Sequence, residues 1–162
     1  MKAWALVLLI IFGSFAANNL TWVGLSPNIR LGYEFGDSRG FVLGIGCGVF
    51  YWTENIPGPV ASINTVTQYS FGRKTLSQAN DLMVGIFGLF CGSLGEELTY
   101  GKGFLDSAAS FYQFSAGLLG IDCILYKKYF GHDRRDLFLQ VGPPIVLYSQ
   151  GELLNLNLNL GR

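Results

Sequence analysis

The chain is short of charge. Lysine, arginine, aspartate and glutamate make up 14% of its 162 residues, against about 25% in an ordinary soluble domain, so few side chains are there to hold a surface in water. The 11 basic and 11 acidic residues cancel and form no basic stripe, which leaves no electrostatic footprint for nucleic acid. Cysteine is scarce and odd in number. Cys47, Cys91 and Cys123 lie inside apolar runs without C-x-x-C spacing, which suggests neither a disulfide framework nor a zinc site. They read as small apolar residues with free thiols, and no metal or cofactor is expected. Beyond residue 16 no segment offers eighteen uninterrupted apolar residues for a membrane helix.

What is present begins with a secretory pattern over residues 1–16: Lys2, an apolar run from Ala3 to Phe12, then Gly13-Ser14-Phe15-Ala16. Small residues at Ser14 and Ala16 predict cleavage before Ala17. A single domain is then expected over residues 17–162.

Its clearest unit is a hairpin. Ile29, Leu31, Tyr33 and Phe35 alternate with Asn28, Arg30, Gly32 and Glu34, and Phe41, Leu43, Ile45, Cys47, Val49 and Tyr51 alternate with Gly44, Gly46 and Gly48. Period-two alternation is the mark of a β-strand, and Gly36-Asp37-Ser38-Arg39-Gly40 supplies turn chemistry. A short first strand is predicted over 19–25, interrupted by Ser26-Pro27. Further strands are predicted over 62–72, 82–92, 110–126, 137–148 and 153–161. Loops are expected at 53–61, 73–81, 93–109, 127–136 and 149–152. Pro143-Pro144 must mark a bulge or break, because neither can donate to a ladder.

The position of the charges selects the solvent. Within the strong predicted strands only Arg30, Glu34 and Asp122 are charged, and all three take the parity opposite the apolar face. A soluble barrel would scatter lysine and glutamate over its outer face. In a bilayer every backbone polar group must be satisfied, so strands span only as a closed barrel, with roughly 9–11 residues per strand. Eight is an allowed count. Aromatic residues also collect near strand ends, as in Tyr33, Phe35, Tyr51, Trp52, Tyr69 and Phe71, in the manner of interfacial girdles.

This pattern, closest around NIRLGYEFGDSRGFVLGIGCGVFYWTE, resembles the small eight-stranded outer-membrane barrels of Gram-negative bacteria, the group of outer membrane protein X and the lipid A-modifying barrel enzymes. The resemblance implies an all-β, antiparallel up-and-down transmembrane barrel in the bacterial outer membrane. Its partners would be outer-membrane lipid and the barrel-assembly machinery, and its role structural or directed at lipids or small molecules. Counting from a periplasmic N-terminus through a Ser26-Pro27 loop puts 37–40, 73–81 and 127–136 on the inner side.

The resemblance also brings an alternative, a lipid A-modifying enzyme with a histidine beside a serine and a carboxylate. The one histidine, His132, lies in the charged turn GHDRRD, and an adjacent Asp does not by itself orient a base. His132 is read as a solvated turn residue, and no catalytic residue is assigned. Gly44-Ile45-Gly46-Cys47-Gly48 is followed by neither a helix nor Lys-Ser/Thr and reads as strand glycines, not a phosphate loop. The second alternative is a soluble periplasmic lipocalin-like binder. A pore is not expected, because side chains fill an eight-stranded interior. The candidate site is a polar network in the lumen, made by Arg30, Glu34, Gln68, Asp122, Gln140, Asn157 and Asn159. Glu34 and Asp122 are expected at equal depth, with Arg30 capping the group.

Overall fold

Alternation of apolar and polar residues at period two turns one face of each strand outward and the other into a shared interior, and a computed structural model shows that interior closed. It describes residues 22–36, 39–52, 59–86, 89–101, 104–118, 122–142, 145–149 and 152–153. The predicted signal segment, Asn157 and Asn159 lie outside the described residues.

The strands are β1 (Trp22–Phe35), β2 (Gly40–Trp52), β3 (Pro59–Ser70), β4 (Thr75–Ile86), β5 (Phe90–Gly101), β6 (Phe104–Leu118), β7 (Asp122–Tyr129), β8 (Arg135–Val141), β9 (Ile145–Ser149) and β10 (Glu152–Leu153). Each pairs antiparallel with the next from β1 to β8. The ring closes because β8 pairs with β1 over Ile29 to Phe35, and β9 with β1 over Trp22 to Leu25. The segments β8 and β9 are thus two halves of one wall position, giving an eight-stranded antiparallel barrel, and β10 adds a short pairing to β9.

Several boundaries differ from the sequence reading. Ser26-Pro27 does not interrupt β1, which runs unbroken from Trp22 to Phe35. Among the described residues, β1 residues 26–28 have no ladder partner on the β8/β9 side, where the pairing steps from Val141 to Ile145; a proline, which has no N–H to donate, suits a position with few ladder bonds to make. Gly142 sits in that gap, where a Cβ would lie 2.3 Å from the Pro27 carbonyl oxygen.

The expected polar connection 73–81 is a four-residue turn, 71–74, followed by β4, with Lys74 in the left-handed region at φ 56°. The run 82–92 is no single strand. It holds the end of β4, a turn in which the Leu89 N–H donates to the Ile86 carbonyl (3.1 Å), and the start of β5. The expected loop 93–109 is strand throughout its described residues, because Ser93, Gly95, Glu97 and Thr99 alternate inward against Leu94, Glu96, Leu98 and Tyr100. The predicted strand 110–126 divides into β6 and β7. Of the strand predicted over 153–161, only residue 153 is described.

These shifts reorder the two ends. Because β1 is continuous, the turns at 36–39, 71–74 and 130–134 lie at the end away from Trp22 and Ser149, not beside them. The end carrying these turns is called here the Arg134 end, and the other the Trp22 end.

The interior is layered. At the Trp22 end, the rings of Trp22 and Trp52 pack at a tilt of 56°, 5.2 Å between centroids. Val42, Leu125 and Phe138 form one small buried cluster, and Ala79, Phe111 and Tyr129 another. Much of the outer face is apolar and open: Ile45 is 68% exposed, Ile63 62% and Phe41 62%.

Candidate functional site

Inward positions near the Arg134 end carry charge on several strands, and register brings them together. Glu34 stands opposite Asp136 across β1 and β8, and Asp136 opposite Lys127 across β8 and β7. Two carboxylates directly across a ladder repel. Arg134 answers that repulsion. Its turn brings the guanidinium back over the row, with Nε 3.2 Å from Glu34, Nη2 3.1 Å from Asp136 and Nη1 2.8 Å from Glu97. Burial works against the Arg134 charge, yet Tyr129, Glu97, Asp136 and Glu34 around it hold the guanidinium above its ordinary pKa.

Glu97, on β5, is the hub. Its oxygens accept from Lys127 Nζ (2.5 Å), the Tyr129 hydroxyl (2.5 Å), Gln68 Nε2 (2.8 Å), Arg134 Nη1 (2.8 Å) and Arg73 Nη2 (3.3 Å). Glu34 accepts from Arg73 Nε (3.0 Å) and the Ser70 hydroxyl (3.1 Å). Ser70 also accepts from the Arg73 backbone N–H at 3.2 Å, which holds the 71–74 turn against the strand that delivers it. The Tyr129 hydroxyl lies 2.5 Å from Glu97 and 2.8 Å from Asp136, and with one proton it donates to one of them at a time.

Three carboxylates (Glu34, Glu97, Asp136) thus meet three cations (Arg73, Lys127, Arg134). Lys127 and Asp136 are both 0% exposed, a burial tolerable only for paired, hydrogen-bonded charge. Aromatic faces complete the setting: Lys127 Nζ sits 4.0 Å from the Phe111 ring centroid, and the Arg134 guanidinium 4.0 Å from that of Tyr129. Such cation–π contacts gain strength when desolvated.

A second layer lies deeper. Arg30 donates through Nε to Gln140 Oε1 (2.6 Å) and stands 3.8 Å from Asp81. Asn64 donates to Asp81 (2.8 Å) and Ser62 (3.0 Å). The glycines of β2 make room here. A Cβ at Gly48 would lie 2.1 Å from Asn64 Oδ1, and one at Gly44 would lie 3.2 Å from Gln68 Cβ. Nearer the Trp22 end a cavity of about 90 Å³ is lined by Ser26, Phe50, Val60, Ser62, Met83 and Ser115, among others.

Of the residues singled out in the sequence, Arg30, Glu34 and Gln68 are buried in these two layers and Gln140 is bonded to Arg30. Asp122 begins β7 opposite Leu118 and Val141, so its backbone lies at the Trp22 end while Glu34 lies at the other. The two are not at equal depth. Sequence reading missed Glu97, Asp81, Arg73, Lys127, Tyr129, Arg134 and Asp136, having placed all seven in loops. The signal was there: Lys127-x-Tyr129 and Arg134-x-Asp136 keep the period of two.

His132 is exposed in the 130–134 turn, and the neighbouring Asp133 carboxylate pairs with Arg135 (3.4 Å) instead. The Gly44 to Gly48 stretch is regular strand within β2. The arrangement as a whole can fill and close the lumen at one end. Neither a family model, a curated protein nor a solved structure matches this chain.

Proposed function

We propose that the chain is a membrane-spanning barrel of the bacterial outer membrane, closed at the Arg134 end by a charge-balanced plug, with a structural or lipid-interacting role. The observation that carries this reading is the inversion of the wall. Side chains that water would accept, from Arg30 to Asp136, are buried inside, while large apolar side chains such as Ile29, Leu31, Ile45, Ile63, Ile124 and Leu139 cover much of the exposed face. Monomeric soluble proteins rarely leave apolar surface on this scale uncovered; a bilayer is the solvent that fits it. Strands of 12 to 15 residues in β1 to β6 have the length to span. Outward-facing aromatics near the Arg134 end, Tyr33 with Phe35 and Phe41, and Tyr69 with Phe71, make edge contacts at 5.0–5.5 Å and suit an interfacial girdle.

With a periplasmic N-terminus and the observed continuous β1, the turns bearing the exposed Arg39 and Lys74 face outward from the cell. That orientation suits contact with anionic lipid head groups. The lumen cavity beside Ser26, Phe50 and Met83, about 90 Å³, is below the roughly 300–1,000 Å³ of small-molecule sites, which favours a filled lumen over a lipocalin-like one. The test is fractionation followed by gel migration before and after boiling in detergent. Sedimentation with outer membranes and a fast-running unboiled form are expected; a mature protein that stays soluble without detergent would overturn the reading.

A further inference from the structure

The outer wall is not uniform. On β1, β2 and β8 the outward positions midway along the strands are apolar: Ile29, Leu31, Leu43, Ile45, Leu137 and Leu139. Across β3 to β6 the midpoints are polar instead. Thr65 stands in register with Asn80, Asn80 with Glu96, and Glu96 with Ser110, and Thr67 with Gln78 runs alongside. All of these side chains are exposed or half-exposed. Sequence reading found no charge on the outer face because it placed Glu96 in a loop; Glu96 lies at the centre of β5, flanked outward by Leu94 and Leu98.

Part of this ladder is satisfied within the wall. The Thr65 hydroxyl donates to Asn80 Oδ1 (2.8 Å), and Gln78 Nε2 reaches Thr65 Oγ1 (3.2 Å) and Asn80 Oδ1 (3.3 Å). That leaves the Asn80 amide nitrogen as a donor and the Glu96 carboxyl as an acceptor, with no side-chain partner for either among the described residues. In a membrane-spanning barrel both groups sit at mid-depth against hydrocarbon, where an unsatisfied polar group is costly and an ionisable one marks a site of interaction.

We infer that the β3–β6 wall is the interface of a homodimer in the membrane, in which Glu96 of each copy accepts from Asn80 of the other. Two copies inserted in the same orientation are related by a twofold axis along the membrane normal, which carries each residue to its own depth in the other copy. An axis passing between Asn80 and Glu96, which are register neighbours, sets donor against acceptor twice over. The surface is self-complementary in hydrogen bonding, which a second copy of this chain satisfies and a lipid tail does not. Interhelical polar contacts in membranes supply the physical precedent for such pairing.

This inference rests on the membrane reading, and the test separates the two. The full chain, with its three cysteines replaced by alanine and His132→Cys added for labelling, is reconstituted into phosphatidylcholine vesicles as mixed donor and acceptor populations. Vesicle flotation and heat-modifiable migration are checked first; protein that does not float overturns the membrane reading and the dimer with it. For inserted protein, energy transfer is read across protein-to-lipid ratios. Association is expected to weaken at least tenfold in Asn80→Leu/Glu96→Leu and to change less than threefold in Leu139→Ala on the opposite wall. Should the double variant fail to fold, the single variants decide, each expected at least threefold weaker. Inserted protein that shows no transfer at any ratio, or leucine variants that associate as tightly as the parent, would overturn the dimer while leaving the membrane reading intact.

Discussion

The two ends of the lumen are built on the same strands and filled in opposite ways. At the Arg134 end, carboxylates and cations interlock around Glu97, with four of the six charges in more than one ion pair. At the Trp22 end hydroxyls, Met83 and aromatic rings surround a small cavity. An eight-stranded wall alone does not dictate the filling; inward parity does, strand by strand. Where that parity delivers charge, the lumen must balance it, and where it delivers small residues, the lumen keeps space.

The contrast is sharpest in its energetics. Glu97→Leu removes the hub and leaves Lys127 buried without its closest carboxylate, so a loss of about 3–5 kcal/mol is expected, read as the shift in urea unfolding midpoint of the detergent-folded protein. Arg134→Met releases the repulsion between Glu34 and Asp136 and strips partners from three carboxylates. Arg134 is partly exposed and Arg73 still serves two of them, so about 1–3 kcal/mol is expected from the same unfolding curves. In the middle layer, Asn64→Leu breaks the bonds to Asp81 and Ser62, and a cost near 1–2 kcal/mol should appear. At the cavity end, Ser115→Ala deletes only a 3.4 Å bond to the Cys91 carbonyl and should move stability by roughly 0.5 kcal/mol or less. A cavity-end variant as damaging as Glu97→Leu would erase the distinction between the ends.

Much of the wall was legible in the sequence because burial and period two coincide there. The hairpin of β1 and β2 came out with its apolar face outward and its glycines inward. Asn64 and Gln68 lean over those glycines. The plug was mostly illegible, for a physical reason. Charged residues in short clusters such as KKY and RRD resemble solvated turns, and only a closed barrel gives their inward members partners from β1, β5 and β8. Propensity carries no information about a carboxylate two strands away, as Glu97 on β5 is from Lys127 on β7. Pro27 misled in the same way: a proline argues for a break, yet β1 runs through it in register with β2, which only the pairing of the strands reveals.

The central claim is that the exposed apolar wall faces hydrocarbon. Spin labels placed singly at Ile45, Ile63 and Leu139, with His132 as the turn reference, report it directly through collision with oxygen and with a water-soluble nickel chelate in vesicles. The three wall positions should collide readily with oxygen and scarcely with nickel, and His132 should do the reverse. Nickel accessibility at Ile45 and Ile63 equal to that at His132 would contradict the account.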